Sequence, residues 1–577
     1  MIYKYDRVVK YYETDRMGVV HHSNYIRWFE EARVEFMRDI GLPYSHMEDE
    51  GIMVPVVTVE CKYKNPVTFD DEVTVNTKVR KFNGIVIELE YEVVRTDDGS
   101  AVVTGASSHC FVDAKTFKPL NLKRERADMY DKLLKQWRIK PMWAYESVFY
   151  QIYPMGFANA PFENDGVQRH GIIKVIDWIP HIKSVGCNAI YFSPVFESDT
   201  HGYNTRDYKK IDVRLGTNEE FKSVCDALHE AGIKVVLDGV FNHVGRGHFA
   251  FQDVLKNREN SRYLNWFNIN LGGNDAWNDG LWYEGWEGNY DLVKLNLRNN
   301  EVVEYLLDCV RYWIEYFDID GIRLDVAYCL DEDFMRRLRS FTDSMKADFF
   351  LLGEAVHGDY NRLVNDGMLH SATNYECYKG IYSALNSMNL FEIIHSLLRQ
   401  FGPEQWSLYK GKHMLSFVDN HDVSRIASVI TNPKHIPLAY GIEFGMPGIP
   451  CVYYGSEWGF KADKSQGDPA LRPYFEIYEE NELTAFISRL AAVKKSSNAL
   501  NYGDFTSVIL TNRQCVFRRA AGDDVIFVAI NADENPYTAC FDAGAAKVTD
   551  LLTGNSYDMG SGVSMDGCSV MYLQPER

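Results

Sequence analysis

Eight short apolar segments, separated by longer amphipathic ones, run between residues 148 and 454, and this alternation restricts the fold more than any other feature of the chain. The expected strands are 148–153, 189–193, 234–239, 321–325, 349–353, 370–374, 414–418 and 450–454. Expected helices such as 171–185, 218–231 and 301–317 separate them. A strand followed by a helix, repeated eight times, predicts a (β/α)8 barrel whose active face lies at the carboxyl ends of the strands.

A chain of 577 residues needs further domains, because a single hydrophobic core rarely serves so many. Residues 1–137 read as an α+β unit: a short strand, an amphipathic helix near 23–40, then strands at 54–63, 72–79, 85–94 and 101–112. Ile26, Phe29, Phe36, Met37 and Ile40 recur at helical spacing, and Gly41-Leu42-Pro43 stops the helix. Asp97-Asp98-Gly99-Ser100 marks a hairpin turn, and the charged segment 121–135 reads as helix before a boundary near residue 138. The barrel then occupies 138–500. Within it, residues 244–292 are too long for an ordinary connection and predict a small inserted subdomain rich in Trp, Asn and Gly. From 501 to 577, short strands with turns at Ala521-Gly522-Asp523-Asp524 and Gly560-Ser561-Gly562 predict a β-sandwich.

Charge narrows the partners. With 61 basic against 81 acidic side chains the net charge is −20, which repels phosphate backbones and anionic membranes, so neither nucleic acid nor a membrane is expected. Eleven cysteines, scattered singly without a CxxC pair, are expected to be reduced thiols of a cytoplasmic protein. The first residues lack the pattern of a secretory signal, and no apolar stretch reaches the ~20 residues that span a bilayer.

Four acidic residues fall at expected strand ends: Asp238 in Leu-Asp-Gly-Val-Phe-Asn-His, Asp325 in Gly-Ile-Arg-Leu-Asp-Val-Ala, Glu354 in Leu-Leu-Gly-Glu-Ala and Asp422 in Val-Asp-Asn-His-Asp. Asp325 and Glu354 are 29 residues apart, close to the ~31 of one βα unit, so they occupy neighbouring strand ends. Paired carboxylates suit retaining glycoside hydrolysis, in which one attacks the anomeric carbon and the other, protonated, releases the leaving group. Arg323, two residues before Asp325 on the same strand, points the same way and is expected to hold that nucleophile ionised.

These motifs resemble those of the α-amylase family, and the resemblance covers residues 143–577. It implies Asp325 as nucleophile, Glu354 as acid/base and Asp422 as the carboxylate that grips the sugar hydroxyls. It also implies His243, His421 and Arg323 as substrate-site residues and Tyr203, in Tyr203-Asn204-Thr205-Arg206-Asp207-Tyr208, as a stacking platform. Asp468 and Arg472 match a loop that binds a more distant glucose, and Phe149-Tyr150-Gln151-Ile152-Tyr153-Pro154 matches the family's first strand. Leu292-Val293-Lys294-Leu295-Asn296 is similar to a motif of the neopullulanase and cyclomaltodextrinase branch, although Ile322 and Tyr328 stand where that branch has Trp and Glu. The implied substrates are α-glucan oligosaccharides. No cofactor is required, and calcium is the one candidate ion, with Asn242 its family ligand.

In the first unit Asp15 lies in Thr14-Asp15-Arg16-Met17-Gly18, just ahead of the long helix. Backbone N–H groups at a helix start can polarise a thioester carbonyl while a nearby carboxylate attacks or activates water. Over residues 1–125 the string resembles hotdog-fold acyl-CoA thioesterases of the 4-hydroxybenzoyl-CoA type. That resemblance implies Asp15 as the catalytic carboxylate, His22 and Tyr25 beside the acyl pocket, acyl-CoA as substrate and a homodimer or higher oligomer. Two alternatives stay open: a hotdog unit that only assembles the glycosidase, and a barrel that transfers glycosyl groups to sugars rather than to water.

Overall fold

The structure, a computed structural model, describes residues 3–97, 99–138 and 142–576. The chain divides into two compact units, Met1–Met142 and Trp143–Arg577. Asp98, in the expected hairpin turn, lies outside the described residues.

The first unit is an antiparallel sheet in the order Tyr3–Val8, Glu72–Phe82, Val86–Arg95, Ala101–Cys110, Val56–Tyr63, with helix Ser23–Asp39 laid against it. The helix buries Tyr25, Trp28, Phe29, Ala32, Phe36 and Met37, an i, i+3, i+4 stripe. Ile26 was expected in that stripe but is 39% exposed. It lies about 100° round the helix from Tyr25, so Trp28 and Ala32 take the core positions. Phe29 stacks on Tyr91 at 4.5 Å. Gly105 permits that approach, since a Cβ there would stand 2.3 Å from Phe29 Cε2 and 2.6 Å from the Glu60 carbonyl. Strand Val56–Tyr63 forms one edge of the sheet, and Val56, Val57, Val59 and Tyr63 are exposed along it.

The second unit holds all eight expected strands, trimmed at their ends: Phe149–Ile152, Ala189–Phe192, Lys234–Gly239, Gly321–Leu324, Phe350–Gly353, Ser371–Ala372, Leu415–Ser416 and Ile449–Tyr453. They pair in parallel in chain order, and the eighth returns to the first with Cys451 opposite Phe149. A single parallel bridge, Thr373 to Leu415, joins the sixth strand to the seventh and closes the barrel. Helix Asn300–Phe317 shows how sequence bounds a helix. Asn299 caps its start through Glu301 N, an interaction worth about 1 kcal/mol, and Asp318 ends it in the left-handed region. Its buried stripe runs from Val302 to Phe317, with Trp313 stacked on Phe196 at 4.5 Å and on Phe241 at 5.7 Å.

The insertion after the third strand contains helix Phe249–Asn257 and a small sheet of His243–Gly245, Gly285–Trp286 and Asn289–Lys294. At the carboxyl end, six antiparallel strands and the pair Tyr537–Ala539 and Val563–Met565 enclose a core that includes Val516, Phe527, Val548, Met565 and Leu573, a two-layer sandwich.

Candidate active site

Strand register brings the site together. Asp238 on the third strand is paired opposite Arg323 on the fourth, and Asp325 and Glu354 follow directly on the fourth and fifth strands. Arg323 Nη1 donates to both oxygens of Asp238, each at 2.9 Å, and to Asp325 Oδ1 at 2.8 Å. Its Nη2 lies 3.0 Å from Glu354 Oε2. All four side chains are buried. One guanidinium thus bridges the Asp325 and Glu354 carboxylates.

Three carboxylates on one cation would carry an excess charge of two in a buried cup. Burial therefore pushes all three up against the pull of Arg323, Asp238 to about 8 and Glu354 to about 7, with Asp325 raised as well. The contact expected between Arg323 and Asp325 is present, but burial outweighs it. At neutral pH the cluster thus retains a proton shared among its carboxyls. Asp238 accepts from Arg323 twice, from Tyr191 at 3.2 Å and from Tyr203 at 3.3 Å, all of which favour its ionised form. Glu354 accepts from the Val326 backbone at 3.0 Å and faces one guanidinium nitrogen, fewer donors than Asp238 meets. Val326 itself has φ +41, left-handed and unusual for a β-branched residue, a strain of order 1–3 kcal/mol placed next to Asp325.

Asp422 goes the other way. Desolvation would raise it, but His421 and the cations Arg472, Arg323 and Lys464 outweigh that and hold it below the usual carboxylate range. Arg472 Nη2 lies 3.1 Å from Asp422 and 3.2 Å from Asp468, so Arg472 belongs to the centre and Asp468 to its rim. His421 Nε2 is 3.1 Å from Asp422 Oδ2 and also meets the Tyr203 hydroxyl. Burial lowers His421 to about 3 and His243 to about 4, leaving both rings neutral. His243 Nε2 is buried with no hydrogen-bond partner among the described residues, 3.9 Å from Asp325 Oδ2, a position that a sugar hydroxyl could satisfy. The Tyr203 ring lies parallel to that of His421 at 5.8 Å.

Asn242 turns its amide toward His243 Nδ1 at 3.2 Å. Among the described residues no three His, Cys, Asp or Glu side chains gather as a metal site.

Sequence reasoning assigned no role to Gln151, Tyr191 or the Val326 N–H. The available signal was polarity inside a buried strand, as at Gln151 in Phe149–Ile152.

In the first unit Asp15 opens a tight turn, its Oδ1 accepting from Met17 N at 2.7 Å, with Gly18 at φ +79. Glu13 ties this turn to the helix start, since its carbonyl accepts from Asn24 Nδ2 at 2.7 Å and from His21 N at 2.9 Å. His22 precedes the helix without a side-chain cap bond and is exposed. Tyr25 is buried against Trp28 and Tyr63, and burial pushes its hydroxyl up to about 12. A buried Glu13, accepting from Trp28 Nε1 at 2.8 Å and paired with Arg7, anchors the segment and was not foreseen.

A family model described as the α-amylase catalytic domain matches residues 151–499, and one for the thioesterase-like superfamily matches residues 9–137. A cyclomaltodextrinase from Bacillus sp. is 32% identical over 428 residues, 69% of this chain and 75% of the relative. An intracellular maltogenic amylase from Bacillus subtilis is 32% identical over 439 residues, 71% of this chain and 72% of the relative. Among solved structures, the cyclic α-maltosyl-(1→6)-maltose hydrolase of Arthrobacter globiformis aligns with TM-score 0.64 and 28% identity, covering 76% of this chain and all of that one. The Nostoc punctiforme debranching enzyme aligns with TM-score 0.63 and 27% identity over 75% of this chain and 98% of its own.

Proposed function

The chain belongs to the α-amylase family of glycoside hydrolases, and from that premise we propose that it is a retaining enzyme hydrolysing α-glucosidic bonds of maltooligosaccharides and related α-glucans. One observation carries this: Asp325 and Glu354 share the Arg323 guanidinium, and burial raises Glu354 to about 7, the range of a general acid. Asp325 attacks the anomeric carbon while Glu354 protonates the departing oxygen. Glu354, now ionised, then takes a proton from the water that hydrolyses the glycosyl-enzyme. Asp422, His421 and His243 hold the sugar hydroxyls, Tyr203 flanks the ring, and Arg472 with Asp468 extends the site. The test is the configuration of the first product. Proton NMR of maltotriose hydrolysis should show the α-anomer formed first, and a β-anomer would refute the assignment.

The first unit supports a second activity, hydrolysis of acyl-CoA thioesters at Asp15, backed by its thioesterase-like family match and by the turn tied to the helix start. The exposed apolar edge Val56–Tyr63 favours a further role, pairing of two copies edge to edge. The Asp15→Ala variant separates the two: thioesterase activity lost with oligomer size unchanged supports catalysis, and no activity in the parent leaves assembly alone. The cytosol is the compartment that single reduced cysteines and an intracellular relative support. Among the described residues no helix is long and apolar enough to cross a membrane.

A further inference from the structure

Gln151 is the third residue of the fully buried first barrel strand and is itself 2% exposed. Its amide nitrogen lies 2.8 Å from His421 Nδ1 and 3.2 Å from Ser193 Oγ. An amide N–H only donates, so His421 Nδ1 must present its lone pair. The other ring nitrogen gives the same answer independently, because Nε2 faces the Asp422 carboxylate at 3.1 Å, which only accepts. The Tyr203 hydroxyl, spending its own proton on Asp238, accepts at Nε2 too. The remaining neighbours do not compete for the ring nitrogens: Tyr153 stacks on the ring at 5.9 Å, and Arg472 Nε donates to the His421 carbonyl at 3.2 Å.

We propose that Gln151 is a positioning residue for the glycosidase reaction, locking His421 in the neutral tautomer that directs its Nε2–H toward Asp422 and the Tyr203 hydroxyl. The bond closes a relay that runs from Ser193 through Gln151, His421, Tyr203 and Asp238 to Arg323, the guanidinium shared by Asp325 and Glu354. The opposite tautomer would turn a lone pair toward the Asp422 carboxylate, repelling it and withdrawing the donor. A carboxylate at position 151 would accept from Nδ1, forcing either that tautomer or an imidazolium beside Arg472. A neutral amide donor avoids both.

Because the proposal rests on the glycosidase reading, its first test is independent of turnover. Nitrogen-15 spectra of the full chain labelled at histidine, with His421 assigned by difference against His421→Asn, should show His421 Nδ1 unprotonated and Nε2 protonated at neutral pH. A protonated Nδ1 overturns the proposal whether or not the enzyme is active. The second test compares pH profiles of kcat/KM on maltotriose. Gln151→Leu should lose about 5–100-fold, the range for one buried hydrogen bond. Gln151→Glu should be active only at low pH, where His421 is doubly protonated, and lose activity as pH rises. If both variants keep the parent's profile shape, Gln151 only fills space and the proposal fails. A parent inactive on every α-glucan removes the glycosidase reading, and the spectra still decide the tautomer.

Discussion

Replacing Arg323 with Met keeps the unbranched stem but removes the cation that touches Asp238, Asp325 and Glu354 together. At roughly 4 Å between charge centres and an effective dielectric of about 20, each pair is worth about 4 kcal/mol. Asp325, already raised by burial, would rise further and be protonated at neutral pH, so the nucleophile would be withdrawn. The expected loss in kcat/KM at pH 7 is on the order of 10³-fold, with the acid limb of the pH profile displaced upward. Activity should recover as pH rises through that limb. Stability follows the same sign: carboxylates whose folded pKa exceeds the unfolded value stabilise the fold at low pH and cease to do so as pH rises through the folded value. The Tm of Arg323→Met should therefore fall increasingly below the parent's as pH is raised. The assay is kcat/KM on maltotriose across pH beside thermal melts in the same buffers. An acid limb left in place, whatever the loss in rate, would refute the reasoning.

Three further outcomes are expected. With Glu354 at about 7, the parent's kcat/KM should decline as pH rises through about 7 when the acid loses its proton, and Glu354→Gln should abolish that limb while losing about 10²–10⁴-fold on maltotriose. Gly105→Val should destabilise the first unit by about 1–3 kcal/mol in denaturant titration, because even a Cβ meets Phe29 at 2.3 Å. Lysines at Val57 and Val59 should lower the solution mass measured by light scattering if the exposed edge pairs two copies, and leave maltotriose hydrolysis intact.

Most of the barrel was legible because a strand buried on both faces must be continuously apolar, and the chain punctuates each with polar or glycine-bearing turns. Asp238, Asp325, Glu354 and Asp422 were legible for a related reason: one acid at a strand end can be a helix cap, but four in order at the mouth of one barrel converge on a common site. What sequence left hidden was relational. Ile26 is apolar and helically spaced, yet helical phase turns it to solvent in favour of Trp28. Arg323 does reach Asp325, but only the depth of the cup shows that burial outweighs the contact. Gln151 and Tyr191 stand singly in apolar runs, where no periodicity distinguishes a polar partner from a packed one. The left-handed Val326 leaves no mark in the sequence, because its conformation is imposed by the groups around it.

The central claim, that Asp325 is the nucleophile of a barrel glycosidase, is tested most directly by the rate of maltotriose hydrolysis in the parent and in Asp325→Asn. The amide is nearly isosteric and still faces Arg323, so the fold should persist while hydrolysis falls by several orders of magnitude. Equal rates in the two proteins, or no hydrolysis of any α-glucan by the parent, would contradict it.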